Sequence, residues 1–202
     1  MDLHDDWNLL AIGALNVLHV GWWCGLTALS PSTSILFYVD GAYLLLDSCW
    51  LLFAPSCVPA KSRLTLLVHH CLVCALLPFA ASNQLFMSHL VRTWMVELHS
   101  WNHIAARRLG SSPFAGVLEA MNKPLFCALR LVGFPLTWFQ FAAERAALPL
   151  ATQAALTPLS VYVPLGVAHS LMYALMLKWG YGLLVAPWIV RSPPGATNGK
   201  SE

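Results

Sequence analysis

The stretch Ile35-Leu-Phe-Tyr-Val-Asp-Gly-Ala-Tyr-Leu-Leu-Leu-Asp-Ser-Cys-Trp-Leu-Leu-Phe-Ala54 decides the fold class. It is long enough to cross a bilayer as one helix, which takes about 20 apolar residues. It also carries Asp40 and Asp47, seven positions apart and so on one helix face, with Tyr43 between them. A charged side chain in lipid is costly, so acids inside such a run belong to a bundle interior. The reading is a membrane helix with a polar inner edge.

The rest of the chain agrees with that reading. Of its 202 residues 58% are hydrophobic and only 10% charged, against about 25% charged in an average soluble protein. Mean hydropathy is +0.64. A soluble domain of this length leaves about 30% of its chain surface exposed after folding, too much for this composition to hide from water. The net charge of +2 with scattered basic residues gives no footprint for nucleic acid. The acidic start, Met1-Asp-Leu-His-Asp-Asp6, is unlike a cleavable signal peptide, so the first span is expected to serve as the targeting signal.

Runs of spanning length predict membrane helices at Leu9–Leu29, Ile35–Ala54, Leu64–Ala81, Leu85–Ala106 and Lys123–Ala143. The region Leu148–Val190 is too long for one span. Pro149, Pro158 and Pro164 are expected to break it into a short embedded stretch and one long helix ending near Trp188. The count is six spans, or seven if that region crosses twice. Lys61, Arg63, Arg107, Arg108, Lys123, Arg191 and Lys200 fall on one side of a six-span arrangement and Arg145 on the other, which places both termini in the cytosol. Residues 1–8 read as a cytosolic segment, 9–190 as the membrane domain and 191–202 as a disordered tail.

Polar residues recur where lipid is expected. The third span carries His69-His70, the fourth His89, Arg92, Glu97, His99, Asn102 and His103, the fifth Asn122 and Arg130, and the last His169 and Lys178. A ring of helices around a polar interior accommodates them. In the plainest arrangement they bond one another, with Asp47 on Arg92 or Arg130 and Glu97 on the other. Adjacent histidines point about 100° apart on a helix, so one of His69 and His70 faces the interior and the other packs between helices. His99 and His103 share a helix face, but two imidazoles are short of the three or four ligands that zinc takes, so no metal is expected. Cys71 and Cys74 form a C-x-x-C without a second pair and read as packing residues. Ser48, Ser100 and Ser170 lie near bases in sequence but in no G-x-S-x-G elbow.

Five segments, in order, resemble the TLC domain family, the lipid-handling fold that ceramide synthases share with small TLC domain-containing proteins. They are Gly41-Ala-Tyr-Leu-Leu-Leu-Asp47, Leu67-Val-His-His-Cys-Leu-Val73, Met95-Val-Glu-Leu-His-Ser-Trp-Asn102, Met121-Asn-Lys-Pro-Leu-Phe-Cys-Ala-Leu-Arg130 with Gly133-Phe-Pro135, and His169-Ser-Leu-Met-Tyr-Ala-Leu-Met-Leu-Lys-Trp179. The resemblance covers Leu9 to Val190 and implies an all-α barrel of six transmembrane helices, open to lipid. It implies that His69 and His70 stand where ceramide synthases carry out acyl transfer from acyl-CoA, and that Glu97 matches a later family Glu. Val73 stands where the synthase motif has Thr, and the synthases' Asp pair is missing from Ser88-His-Leu-Val-Arg-Thr-Trp94. The expected function is therefore lipid binding with regulation, sensing or trafficking of membrane lipids, in the endoplasmic reticulum or another endomembrane. The alternative is an acyl-CoA-dependent acyltransferase with His69 and His70 catalytic. In either, Asp47, Tyr43, Arg92, Glu97, Asn122 and Arg130 are the expected substrate-binding residues. No cofactor is expected beyond acyl-CoA as co-substrate. The partners are membrane lipids, and a homodimer is left open.

Overall fold

A computed structural model describes residues 3–25, 33–82, 84–110 and 112–186. Among them all regular structure is helical: α1 (Leu3–Trp23), α2 (Thr33–Phe53), α3 (Ala60–Ser82), α4 (Gln84–Trp94), α5 (Glu97–Leu109), α6 (Pro113–Leu125), α7 (Phe134–Ala146), α8 (Leu150–Leu156) and α9 (Leu159–Gly180). A π-helical segment, Phe126–Gly133, joins α6 to α7, and another, Tyr181–Val185, extends α9. Among the described residues, three helical stretches are long and apolar enough to cross a membrane: Ile35–Phe53, Pro113–Ala146 and Leu159–Val185. A shorter apolar helix covers Ser62–Pro78. The end of the first predicted span at Leu29, the Lys61 side chain, Trp188, Arg191, Lys200 and the tail lie outside the described residues.

The distribution of polarity is inverted relative to a water-soluble bundle. Phe53, Leu150 and Leu10 are 85%, 82% and 74% exposed, whereas Asp40, Asp47, His70, Asn102 and Arg130 are all buried. An apolar exterior over a charged interior is stable where the surroundings are as apolar as the surface.

α1 packs on α2, α4 and α5, α2 on α3, α3 on α4 and α9, and α4 on α7. Residues 3–8 belong to helix α1 rather than to a separate segment. They are held to α5 by the ion pairs Asp5–Arg107 and Asp6–Arg108.

Three local departures from the sequence reading have chemical causes. The run Leu85–Ala106 is two helices, not one. At the join, the N–H groups of Met95 and Val96 reach back only three residues, to Arg92 and Thr93 at 3.3 Å each. The Thr93 hydroxyl donates to the carbonyls of Leu90 at 2.8 Å and His89 at 3.1 Å, a back-bonding that bends helices. Pro149 and Pro158 cap the starts of α8 and α9 and make the expected breaks, but Pro164 sits inside α9 without ending it.

The third departure lies in the predicted fifth span, which the π segment widens. Phe134 donates its N–H to Leu129, five residues back. Pro135 has no N–H to donate, and the Leu131 carbonyl accepts from the Tyr173 hydroxyl at 3.1 Å. Tyr173→Phe should therefore remove this bond and lower stability by about 0.5–1.5 kcal/mol. Detergent-resolved thermal melts check this, and an unchanged melting temperature would contradict it. Gly180 abuts the same segment, where an added Cβ would stand 2.9 Å from Phe126 Cε1. Gly180→Ala should then cost about 1–3 kcal/mol by overpacking, read by the same melts.

Candidate functional site: a polar chamber against an apolar cavity

The helices enclose a chamber of about 510 Å³, within the usual size of small-molecule sites, about 300–1,000 Å³. Its polar wall comes from α1, α2, α3, α5, α6 and the π segment. Helix α1 gives His4, Asp5 and Asn8, α2 gives Tyr43 and Asp47, and α3 gives His69 and His70. Helix α5 gives Glu97, His99, Ser100, His103 and Arg107, with Asn122 from α6 and Arg130 from the π segment. A narrow apolar cavity of about 80 Å³ adjoins it, walled by Val73, Phe86, Leu90, Leu165 and Met172 among others. Leu44, His69 and Glu97 line both.

Asp47 organises one side of the chamber. Its carboxylate accepts from His4 Nε2 at 2.8 Å and faces His70 Nε2 at 3.6 Å. An Nε2–H on His70 leaves its Nδ1 as an acceptor. The Ser48 hydroxyl, 3.1 Å from His70 Nδ1, fills that role as donor. The Asn8 amide nitrogen lies 3.0 Å from His4 Nε2 and 3.5 Å from its Nδ1, and the Asn8 oxygen accepts from Tyr43 at 2.9 Å. Both His70 nitrogens thus face fixed partners, and the ring is buried.

Arg130 organises the other side. The widened π turn carries it inward, 6% exposed. It donates to Ser100 Oγ at 2.6 Å and to the Val96 carbonyl at 3.4 Å, a backbone group exposed by the α4–α5 turn. Glu97 Oε1 lies 3.9 Å away, and the guanidinium carbon stands 5.4 Å over the Trp179 ring. His69 lies between the two sides. Its ring is 5.5 Å from that of His70, and its Nδ1 is buried with no hydrogen-bond partner.

Seven of the eight residues expected from sequence therefore share one chamber: His69, His70, Asp47, Tyr43, Glu97, Asn122 and Arg130. Arg92 does not join them, because it is paired with Glu144 of α7. The pairing expected for Asp47 is corrected too. Its partners are histidines, and of the two arginines only Arg130 meets an expected acid, Glu97. Asp40 lies apart, fully buried against His19 at 3.2 Å. Of the adjacent histidines, His69 reaches both cavities and His70 the chamber alone. The polar chamber residues not among the expected ones include His4, Asp5, Asn8, His99, Ser100, His103 and Arg107. The H-x3-N spacing of His4 and Asn8 was a signal, since it puts both on one helix face. Treating residues 1–8 as outside the bundle concealed it.

The site combines hydrogen-bonding groups of both charges with an apolar recess, and one imidazole touches both. That arrangement suits an amphiphile, with a polar group in the chamber and a chain in the recess. Compared with known proteins, the chain matches no family model, no curated protein and no solved structure.

Proposed function

We infer that this chain is a multi-pass membrane protein of TLC type that binds membrane lipids and takes part in regulating, sensing or moving them. In this reading six helices, or seven, form a barrel in the endoplasmic reticulum or another endomembrane, with both termini of the six-span form in the cytosol. The observation that carries it is the adjacency of the two cavities. A polar chamber large enough for a head group meets an apolar recess at Leu44, His69 and Glu97. The test is mass spectrometry of lipids retained by the protein purified in mild detergent, beside Val73→Trp, which fills the recess. A lipid held at near one per chain by the wild type and lost from the variant is the expected result. Retention no better than an empty micelle, or equal retention by Val73→Trp, would sink the reading.

A second reading, acyl transfer from acyl-CoA to a lipid amine or hydroxyl, is favoured by one further observation. His69 stands where a chain and a head group would meet, with a ring nitrogen that no protein group occupies.

A further inference from the structure

Two imidazoles face the apolar recess away from the polar chamber. His89 of α4 and His169 of α9 are 5% and 7% exposed, and both line the recess but not the chamber. Their rings are 5.4 Å apart. A wall this apolar has no ordinary use for a pair of histidines, since a buried polar group without a partner costs free energy.

Each ring is oriented by its surroundings. His169 stacks on Phe134 at 4.0 Å and 8°, and His89 packs against Phe141 at 4.8 Å with Trp138 beside both. The backbone of Thr137 hydrogen-bonds the His89 ring, and the backbone of Phe134 the His169 ring. A carbonyl accepts, so the ring nitrogen that it meets carries the hydrogen. The remaining nitrogens, Nδ1 of His89 and Nε2 of His169, are buried and have no partner. In a neutral imidazole the nitrogen without hydrogen is an acceptor only. Away from its mouth, where His69 Nδ1 is also unpartnered, the recess therefore presents these two vacant acceptors; the Trp94 indole N–H is a further unpartnered group on its wall, and the Thr93 hydroxyl is already committed to the carbonyls of His89 and Leu90.

We propose that the recess is selective for a lipid chain bearing a hydroxyl group, which donates to His89 Nδ1 or His169 Nε2. This rests on the lipid-binding reading and deepens it by naming the chain. A plain alkyl chain leaves both acceptors unpaired, whereas a hydroxylated one satisfies one of them without disturbing the aromatic wall. Selection of this kind is effective because the penalty for the wrong ligand is an unmet buried hydrogen bond.

The probe is a set of stearic acids, the parent and its isomers hydroxylated at successive chain positions, competed against one another on the purified protein in lipid nanodiscs. Bound species are weighed by native mass spectrometry. At least one isomer should bind about tenfold or more tighter than the parent. His89→Phe/His169→Phe should erase that preference while still holding the parent. The single changes His89→Gln and His169→Gln, which retain an acceptor, should keep part of it and serve if the double variant does not fold. If the parent binds and no isomer gains over it, or if the preference survives the double replacement, the hydroxyl assignment falls while lipid binding stands. If no fatty acid binds and the purified protein carries no other lipid, both fall together.

Discussion

Arg130→Met should destabilise the protein by about 3 kcal/mol, and adding Glu97→Gln should return part of that loss. Arg130 is the cation beside Glu97 in the chamber wall, and both lie inside the bundle. Removing one member of a buried ion pair strands the other and costs about 3–5 kcal/mol. The low end applies here, because the Glu97 side chain keeps 15% exposure and the pair stands 3.9 Å apart. Methionine keeps much of the stem's volume, so packing against Trp179 is not the dominant loss. Neutralising Glu97 as well removes the stranded charge, which is why the double variant should recover. Unfolding in detergent with the four variants of a double-mutant cycle measures the coupling. A cycle in which the two changes simply add would show that Ser100 and the Val96 carbonyl, not Glu97, hold Arg130 in place.

Much of this arrangement was legible in the chain, and the reasons differ by residue. Asp47, Tyr43, His69, His70, Glu97, Asn122 and Arg130 announced themselves because ionisable and amide groups are expensive inside apolar helices, and a shared interior is the only place for all of them. Which of them pair was not legible. Pairing depends on how helices distant in sequence are rotated, and Asp47 met His4, 43 positions away, rather than an arginine. Arg92 shows the same limit. It sits in the same polar run as Glu97, yet the turn at Met95–Val96 separates the two helices and leaves Arg92 on Glu144. That turn has no proline or glycine to signal it and arises from the Thr93 hydroxyl. The inward reach of Arg130 depends on a π segment ahead of Pro135, where the helical period used to assign faces no longer holds.

The buried pair of His19 and Asp40 shows what the polar interior does where no cavity is present. His19 Nδ1 donates to the Leu15 carbonyl at 2.8 Å, so its Nε2 faces Asp40 Oδ2 with one shared proton between them. The ring stacks flat on Trp94 at 4.8 Å. This pair ties α1, α2 and α4 together and touches neither cavity. It matches the plain expectation that polar groups in the bundle bond one another. Even here the second carboxylate oxygen, Asp40 Oδ1, is buried without a partner, and the chamber holds more such atoms. His69 Nδ1, Asn122 Oδ1 and Arg130 Nε are buried without partners. Leaving buried polar groups unpaired is costly, and in the chamber these groups stand beside space that a polar ligand group could fill.

His69→Ala should lower acyl transfer far more than His70→Ala, by about 10²–10⁴-fold, if the second reading of the site holds. The two histidines are adjacent in sequence but differ in what holds them. His70 is fixed between Ser48 and Asp47, so its change should chiefly loosen the Asp47 cluster and lower the melting temperature. His69 has an unoccupied nitrogen and borders both cavities. As general base it would take the proton from a lipid amine or hydroxyl as that atom attacks the thioester carbonyl of acyl-CoA. The carbon–sulfur bond breaks, the thiolate leaves, and the imidazolium returns the proton to it. Glu97 and Arg130, on the same wall, are placed to steady the imidazolium and the oxyanion respectively. The measurement is product formation from isotopically labelled long-chain acyl-CoA with a mixture of lipid amines and lysolipids, for wild type and each single variant. Equal loss in both variants would move the chemistry to the pair or to His70. Product formation untouched by His69→Ala would remove His69 from the chemistry, whereas none from a wild type that still holds lipid would reduce the unoccupied imidazole to a head-group contact and leave binding as the whole function.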